Sequence, residues 1–144
     1  MRMLSLICLI CVTTLFVGCG EEKNWPARGK VMTDDGNPLP GALVTFVMQQ
    51  PDGNPYYAVS KERTNDSGEF VLVQDMTNEG CKVGNYKVMI TTGQQRLDEE
   101  TGDPIILSPE LVSSKCYGLG TILTATVEPK EDNYFEFKVD RAEE

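Results

Sequence analysis

Tyr86-Lys87-Val88-Met89-Ile90-Thr91 sets Tyr86, Val88 and Ile90 against Lys87, Met89 and Thr91. That spacing of two puts alternate side chains on opposite faces of an extended chain, one face toward a core and one toward solvent. The same period recurs on both sides. Upstream, Val44, Phe46 and Met48 alternate with Thr45 and Val47, and Phe70 and Leu72 with Glu69 and Val71. Downstream, Leu123, Ala125 and Val127 alternate with Thr124 and Thr126, and Phe135, Phe137 and Val139 with Glu136 and Lys138. A first strand over Arg28 to Thr33 and a short one over Tyr57 to Arg63 bring the count to about seven, which suits two packed antiparallel sheets. No stretch carries the period of an amphipathic helix of normal length.

Turn chemistry separates the strands. Asp34-Asp35-Gly36-Asn37-Pro38, Pro51-Asp52-Gly53-Asn54-Pro55 and Asn65-Asp66-Ser67-Gly68 combine side chains that hydrogen-bond nearby backbone, a glycine free to take positive φ, and in two cases a strand-ending proline. Gly93 to Gly120 is different, being long, polar and without alternation. Within it, Ser108-Pro109-Glu110 predicts one short helical turn over Leu111 and Val112, since proline is tolerated at the first helical position.

The N-terminus reads as an export signal. Arg2 is followed by an apolar run from Leu4 to Val17, broken only by Ser5, Thr13 and Thr14. That run is shorter than the roughly 20 apolar residues a membrane-spanning helix requires. Phe16-Val17-Gly18-Cys19 resembles the lipobox of bacterial lipoproteins, with Phe16 where leucine is usual. The resemblance implies that the Cys19 thiol is lipidated and that residues 1–18 are removed. Residues 19–26 are then a lipidated tether, residues 27–144 a single domain, and the protein is an exported, membrane-anchored lipoprotein of the cell envelope. Gly20, where aspartate would signal inner-membrane retention in some bacteria, favours the outer membrane.

The whole chain carries 13 basic and 22 acidic residues, a net charge of −9. Loss of Arg2 with the signal makes the mature chain one unit more negative. Such a surface repels nucleic acid and anionic lipid, so attachment to a membrane falls to the lipid on Cys19. Cys8 and Cys11 leave with the signal, and Cys81 and Cys116 remain. In an oxidising compartment these two can form a disulfide or sit as separate buried thiols, and spacing alone leaves both open.

Four motifs in order resemble one family. Gly29-Lys30-Val31, then Asp35-Gly36-Asn37-Pro38-Leu39-Pro40-Gly41-Ala42 leading into Val44-Thr45-Phe46, are similar to the opening of carboxypeptidase regulatory-like, or transthyretin-like, domains. Thr64-Asn65-Asp66-Ser67-Gly68-Glu69-Phe70 is similar to their T-x-x-x-G-x-F hairpin, and Gly84-Asn85-Tyr86-Lys87-Val88 to their G-x-Y-x-V strand. The resemblance implies an all-β, Greek-key, transthyretin-like (prealbumin-like) sandwich used as a folding, spacing or interaction module. The glycines and aromatic residues of these motifs are scaffold: Gly41 beside Ala42 is expected to let two backbones approach, and Phe46, Phe70 and Tyr86 to fill the interior.

Composition narrows function. The chain has no histidine, which removes the usual general base and the histidine-dependent triads. Hydroxyisourate hydrolases and intradiol dioxygenases, whose sandwich folds are related, depend on histidine, so a hydrolase is disfavoured. No catalytic residue, cofactor or metal site is assigned. Asp34, Asp35, Asn37, Asp52, Asn54, Asn65 and Asp66 offer oxygens for calcium, yet none of their runs matches a twelve-residue calcium loop. Calcium-dependent adhesion or carbohydrate binding is the alternative function, for which Trp25, Tyr56-Tyr57 and Tyr117 are the aromatic candidates. An isopeptide bond between Lys30 and Asn133 is a third option, although the collagen-adhesin B-type domains that form one carry lysine at the position of Met32.

The expectation is therefore a non-catalytic, membrane-anchored binding or structural module with a protein or glycan partner. Gly93 to Gly120 is the segment whose length the fold does not require. Acidic residues from Asp98 to Asp103 adjoin Ile105, Ile106 and Leu107, which either present an apolar contact inside a charged rim or cover a sheet edge.

Overall fold

The computed structural model describes residues 23–50, 59–74 and 78–143. The expected signal, Cys19, and the predicted turn with Asp52, Asn54, Tyr56 and Tyr57 lie outside them. Nine strands follow in order among the described residues: β1 Ala27–Thr33, β2 Leu43–Met48, β3 Val59–Arg63, β4 Glu69–Val71, β5 Gly84–Thr91, β6 Gln94–Leu97, β7 Pro104–Ser108, β8 Thr124–Val127 and β9 Asn133–Val139. Seven of them make a sandwich, with β4-β1-β9 as one sheet and β3-β2-β5-β8 as the other. The remaining two, β6 and β7, pair only with each other.

Alternation decides which side chains face the core. β2 buries Val44, Phe46 and Met48, and β5 buries Tyr86, Val88 and Ile90 opposite them. Phe46 is the hub, its ring 5.4 to 6.4 Å from those of Phe135, Tyr86, Phe137 and Phe70. Tilted and edge-on contacts of this kind add to the area they bury. The Tyr86 hydroxyl would be orphaned in such a core, and it donates to the Lys82 carbonyl at 2.7 Å instead.

One pairing departs from the antiparallel expectation. β1 runs parallel to β9, from Ala27 opposite Asn133 to Thr33 opposite Val139. The reason is the crossing at residues 128–132: β8 ends beside Gly84, and the chain turns there into the other sheet, entering β9 at the end where it first entered β1. Gly29 makes the pair possible, since a Cβ there would strike the Phe135 carbonyl and lie 2.8 Å from the Phe70 ring. The close backbone approach expected at Gly41 is thus found at Gly29. Gly41 instead supplies a φ of 70° with open space around it.

The sandwich has two distinct ends. At one, where the chain enters β1, Trp25 exchanges backbone hydrogen bonds with Cys81 at 2.7 and 2.9 Å just before β1 begins. Asn133, 1% exposed, ties the same end together: its amide donates to the carbonyls of Pro26, Glu128 and Lys130 and its oxygen accepts from the Glu128 amide. The proposed isopeptide partner Lys30 lies three positions further along β1, opposite Glu136 and half-exposed, so the pair is not juxtaposed. The other end carries Thr33, Thr91 and Val139.

Cys81 and Cys116 are separate free thiols, both buried. The disulfide expected as one of two options is not formed. Cys81 belongs to the end where β1 begins, whereas Cys116 sits beside Asp140, just past β9 at the opposite end. Traversing β9 takes roughly 20 Å at about 3.3 Å per residue, and a disulfide needs Cα atoms within about 7 Å. Burial pushes the Cys81 thiol up to about 11, with a hydrogen bond involving Ser60 opposing it.

Candidate interaction site

Leaving β5 at the end away from Trp25, the chain forms a two-stranded ribbon from β6 and β7. A ribbon of two strands is marginal in water unless something holds its base. Here Glu110 does so. Its carboxylate accepts the backbone N–H groups of Thr92 (3.0 Å), Gly93 (3.1 Å) and Val112 (3.0 Å), and the hydroxyls of Thr92 (2.9 Å) and Thr91. Burial raises this carboxyl's pKa, but the hydrogen bonds from Thr91, Thr92 and Gly93 outweigh it and hold the group below its ordinary range. Two further bonds close the base, Ser108 Oγ to the Thr92 carbonyl at 2.9 Å and the Leu111 amide to Thr92 Oγ1 at 2.7 Å.

This arrangement replaces the helical turn expected over Leu111 and Val112. Glu110 follows Pro109 as a helix-starting acid would, but its oxygens are taken by the backbone across the loop. Val112 instead bridges Arg141, and a single turn of 3-10 helix forms later, at Ser114–Cys116. Glu110 is the residue that sequence reasoning missed as an organiser.

At the tip, Asp98 Oδ1 accepts the amides of Glu100 and Thr101, both at 2.9 Å, and the Gly102 amide reaches the Asp98 carbonyl at 3.0 Å. The bonds from Thr101 and Glu100 hold the Asp98 carboxyl below its ordinary range. Glu99, Glu100 and Asp103 are left exposed on the turn.

Of the predicted contact residues, Ile106 and Leu107 are 73% and 57% exposed, and Leu97, opposite Pro104, is 68% exposed. Ile105 is half-buried. The ribbon pairs with neither sheet, so these residues do not cover an edge by strand pairing. Alternation places Leu97, Pro104 and Ile106 on one face and Arg96 with Ile105 on the other. Between the ribbon base and Tyr117 lies an open cleft of about 390 Å³, lined by Gln95, Ile106, Ser108 and Glu110.

Of the turn residues considered for calcium, Asp35 and Asn65 are engaged within their own turns, and Asp52 and Asn54 lie outside the described residues. Asp35 accepts from the Thr33 hydroxyl and pairs with Arg141 at 3.0 Å, while Asn65 Oδ1 accepts the amides of Ser67 and Glu69. Among the described residues no three acidic or cysteine side chains converge as a metal-binding group.

Comparison with known proteins adds little. No family model and no curated protein matches the chain. Among solved structures, the crystal structure of a 9R-lipoxygenase from Cyanothece PCC8801 is 12% identical with a TM-score of 0.48, over 83% of this chain and 16% of that one. A likeness at that level carries no argument about fold or activity.

Proposed function

We propose that this protein is a lipoprotein of the cell envelope with a carboxypeptidase regulatory-like domain, held to the membrane by lipid on Cys19. It acts as a non-catalytic binding or structural module and meets its protein or glycan partner through the β6–β7 ribbon. The observation that carries this reading is the polarity of the sandwich: the tether joins at the Trp25–Cys81 end, and the ribbon leaves β5 at the other. Attachment through Cys19 therefore turns Leu97, Ile106 and Leu107 away from the membrane. A histidine-free composition supports the non-catalytic part.

Two experiments test it. Cys19→Ala should abolish acyl labelling and membrane retention in intact cells, and continued labelling would refute the anchor. A photo-crosslinking side chain at Ile106 should capture a defined species that the same group at Lys138, on the outer face of β9, does not. Equal capture from both positions would refute the ribbon as the contact.

A further inference from the structure

The outer face of the β3-β2-β5-β8 sheet runs against the charge of the molecule. Alternation turns Lys61 and Arg63 on β3 and Lys87 on β5 outward, with Leu43, Val47 and Met89 half-buried between them. No outward-pointing residue of these four strands among those described is acidic, in a chain of net charge −9. Glu110 borders the face at Thr91, but its oxygens are taken by the hydrogen bonds from Thr91, Thr92, Gly93 and Val112. Four cations elsewhere pair with acids, Lys23 with Glu131, Arg28 with Asp132, Lys130 with Glu128 and Arg141 with Asp35, whereas Lys30, Arg96, Lys115 and Lys138 form no ion pair among the described residues. Lys61, Arg63 and Lys87 form no ion pair among the described residues, although Glu62, which accepts the Arg63 amide, and Glu69 line a surface groove with Arg63. Arg63 donates to the Gly41 carbonyl and Lys87 to that of Thr121, so both keep their charge unneutralised.

The ribbon carries the complementary surface. Glu99, Glu100 and Asp103 stand at its turn beside exposed Leu97 and Ile106. We propose that the ribbon of one copy docks on the outer β3-β2-β5-β8 face of a second copy, its carboxylates against Lys61 and Arg63 and its apolar face against Leu43, Val47 and Met89. The inference rests on the ribbon being the contact surface. Such a contact is heterologous, joining different patches on the two copies, and it propagates in a row unless the rotation closes it. Copies anchored upright on one surface hold their ribbons at the level of Thr91 or beyond, so the ribbon must lean toward its neighbour to reach Lys61 and Arg63. The ribbon alone is smaller than a standard interface, so the contact depends on the raised effective concentration at a membrane.

The test uses full-length lipidated protein in phosphatidylcholine vesicles, mixed from light and ¹⁵N-labelled preparations and treated with a zero-length carbodiimide. Mixed-isotope peptides should join Lys61 or Lys87 to Glu99, Glu100 or Asp103. Lys61→Glu/Arg63→Glu should lower their yield roughly tenfold or more, since like charges then face one another. Mixing that variant with Glu99→Lys/Glu100→Lys should restore contact between copies, read as interchain links between the carboxylates introduced on β3 of one copy and the lysines introduced on the ribbon of the other, with circular dichroism confirming that both fold. Absence of mixed-isotope links at these residues, or an undiminished yield in the Lys61→Glu/Arg63→Glu variant, would overturn the proposal. So would retention on dextran sulfate without interchain links, which would assign the face to a polyanion. Photo-capture of another partner through Ile106 without interchain links would overturn the second-copy contact and leave the anchored-module reading standing.

Discussion

Replacing Glu110 tests how the ribbon is held. Glu110→Ala removes the acceptor for three backbone N–H groups, those of Thr92, Gly93 and Val112, and for two threonine hydroxyls. The hydroxyls can turn to water, but the amides are fixed by the backbone. An unsatisfied buried donor costs about 1 to 3 kcal/mol. Glu110 is only partly buried, so water recovers some of each bond, and the low end of that range for three amides gives a loss of about 2 to 3 kcal/mol. Urea unfolding of the full chain at pH 7 should show this as a lower midpoint with little change in slope. Acid supplies a second signature. Because the folded carboxyl titrates below its unfolded value, its contribution is fully present above the unfolded pKa of about 4.3 and is lost as pH falls through the folded pKa. The stability difference between wild type and Glu110→Gln should therefore shrink below about pH 4. A Glu110→Ala protein within about 0.5 kcal/mol of wild type, the size of an ordinary surface change, or a gap that persists on acidification, would refute this account of the ribbon base.

Two further predictions concern the sandwich itself. Native, air-oxidised protein should expose no reactive thiol at Cys81 or Cys116 and yield both on unfolding, with stability unchanged by reductant; a linked Cys81–Cys116 peptide in a non-reducing digest would contradict the fold. Asn133→Ala should cost about 2 to 4 kcal/mol by stranding the Glu128 amide and the carbonyls of Pro26, Glu128 and Lys130. Asn133→Asp should cost more at pH 7, because it turns a carboxylate toward three carbonyls; calorimetric scans that rank the two the other way would refute that reading.

How far the fold is legible in the residues depends on burial. Strands half in the core advertise themselves by alternation, which is why Tyr86, Val88 and Ile90, or Phe135, Phe137 and Val139, locate theirs. β6 is Gln94-Gln95-Arg96-Leu97, exposed at every position, and an extended chain with neither face buried has no pattern to read. The length of Gly93 to Gly120 marks the region without revealing the ribbon inside it. Glu110 is misread for a related reason: local signals after a proline favour a helix start, while Thr92 and Gly93, distant in sequence, supply the donors. The parallel β1–β9 pairing and the separation of the two cysteines both follow from which end of the sandwich each segment reaches, a tertiary property that spacing does not encode.

Lipid on Cys19, as proposed, stands the protein on a membrane with Trp25 toward the surface and the ribbon away from it. Cys81 and Cys116 are buried, so a dye attached at Glu99→Cys on the ribbon or at Glu131→Cys beside the tether labels one place in each protein. Energy transfer to acceptor-labelled headgroups, measured with the lipidated chain in vesicles, then reports height. The eight residues of β5 span about 25 Å, and the ribbon begins at their far end. Strong transfer is expected from Glu131→Cys and much weaker transfer from Glu99→Cys. Equal transfer from the two positions, or stronger transfer from the ribbon, would contradict that orientation.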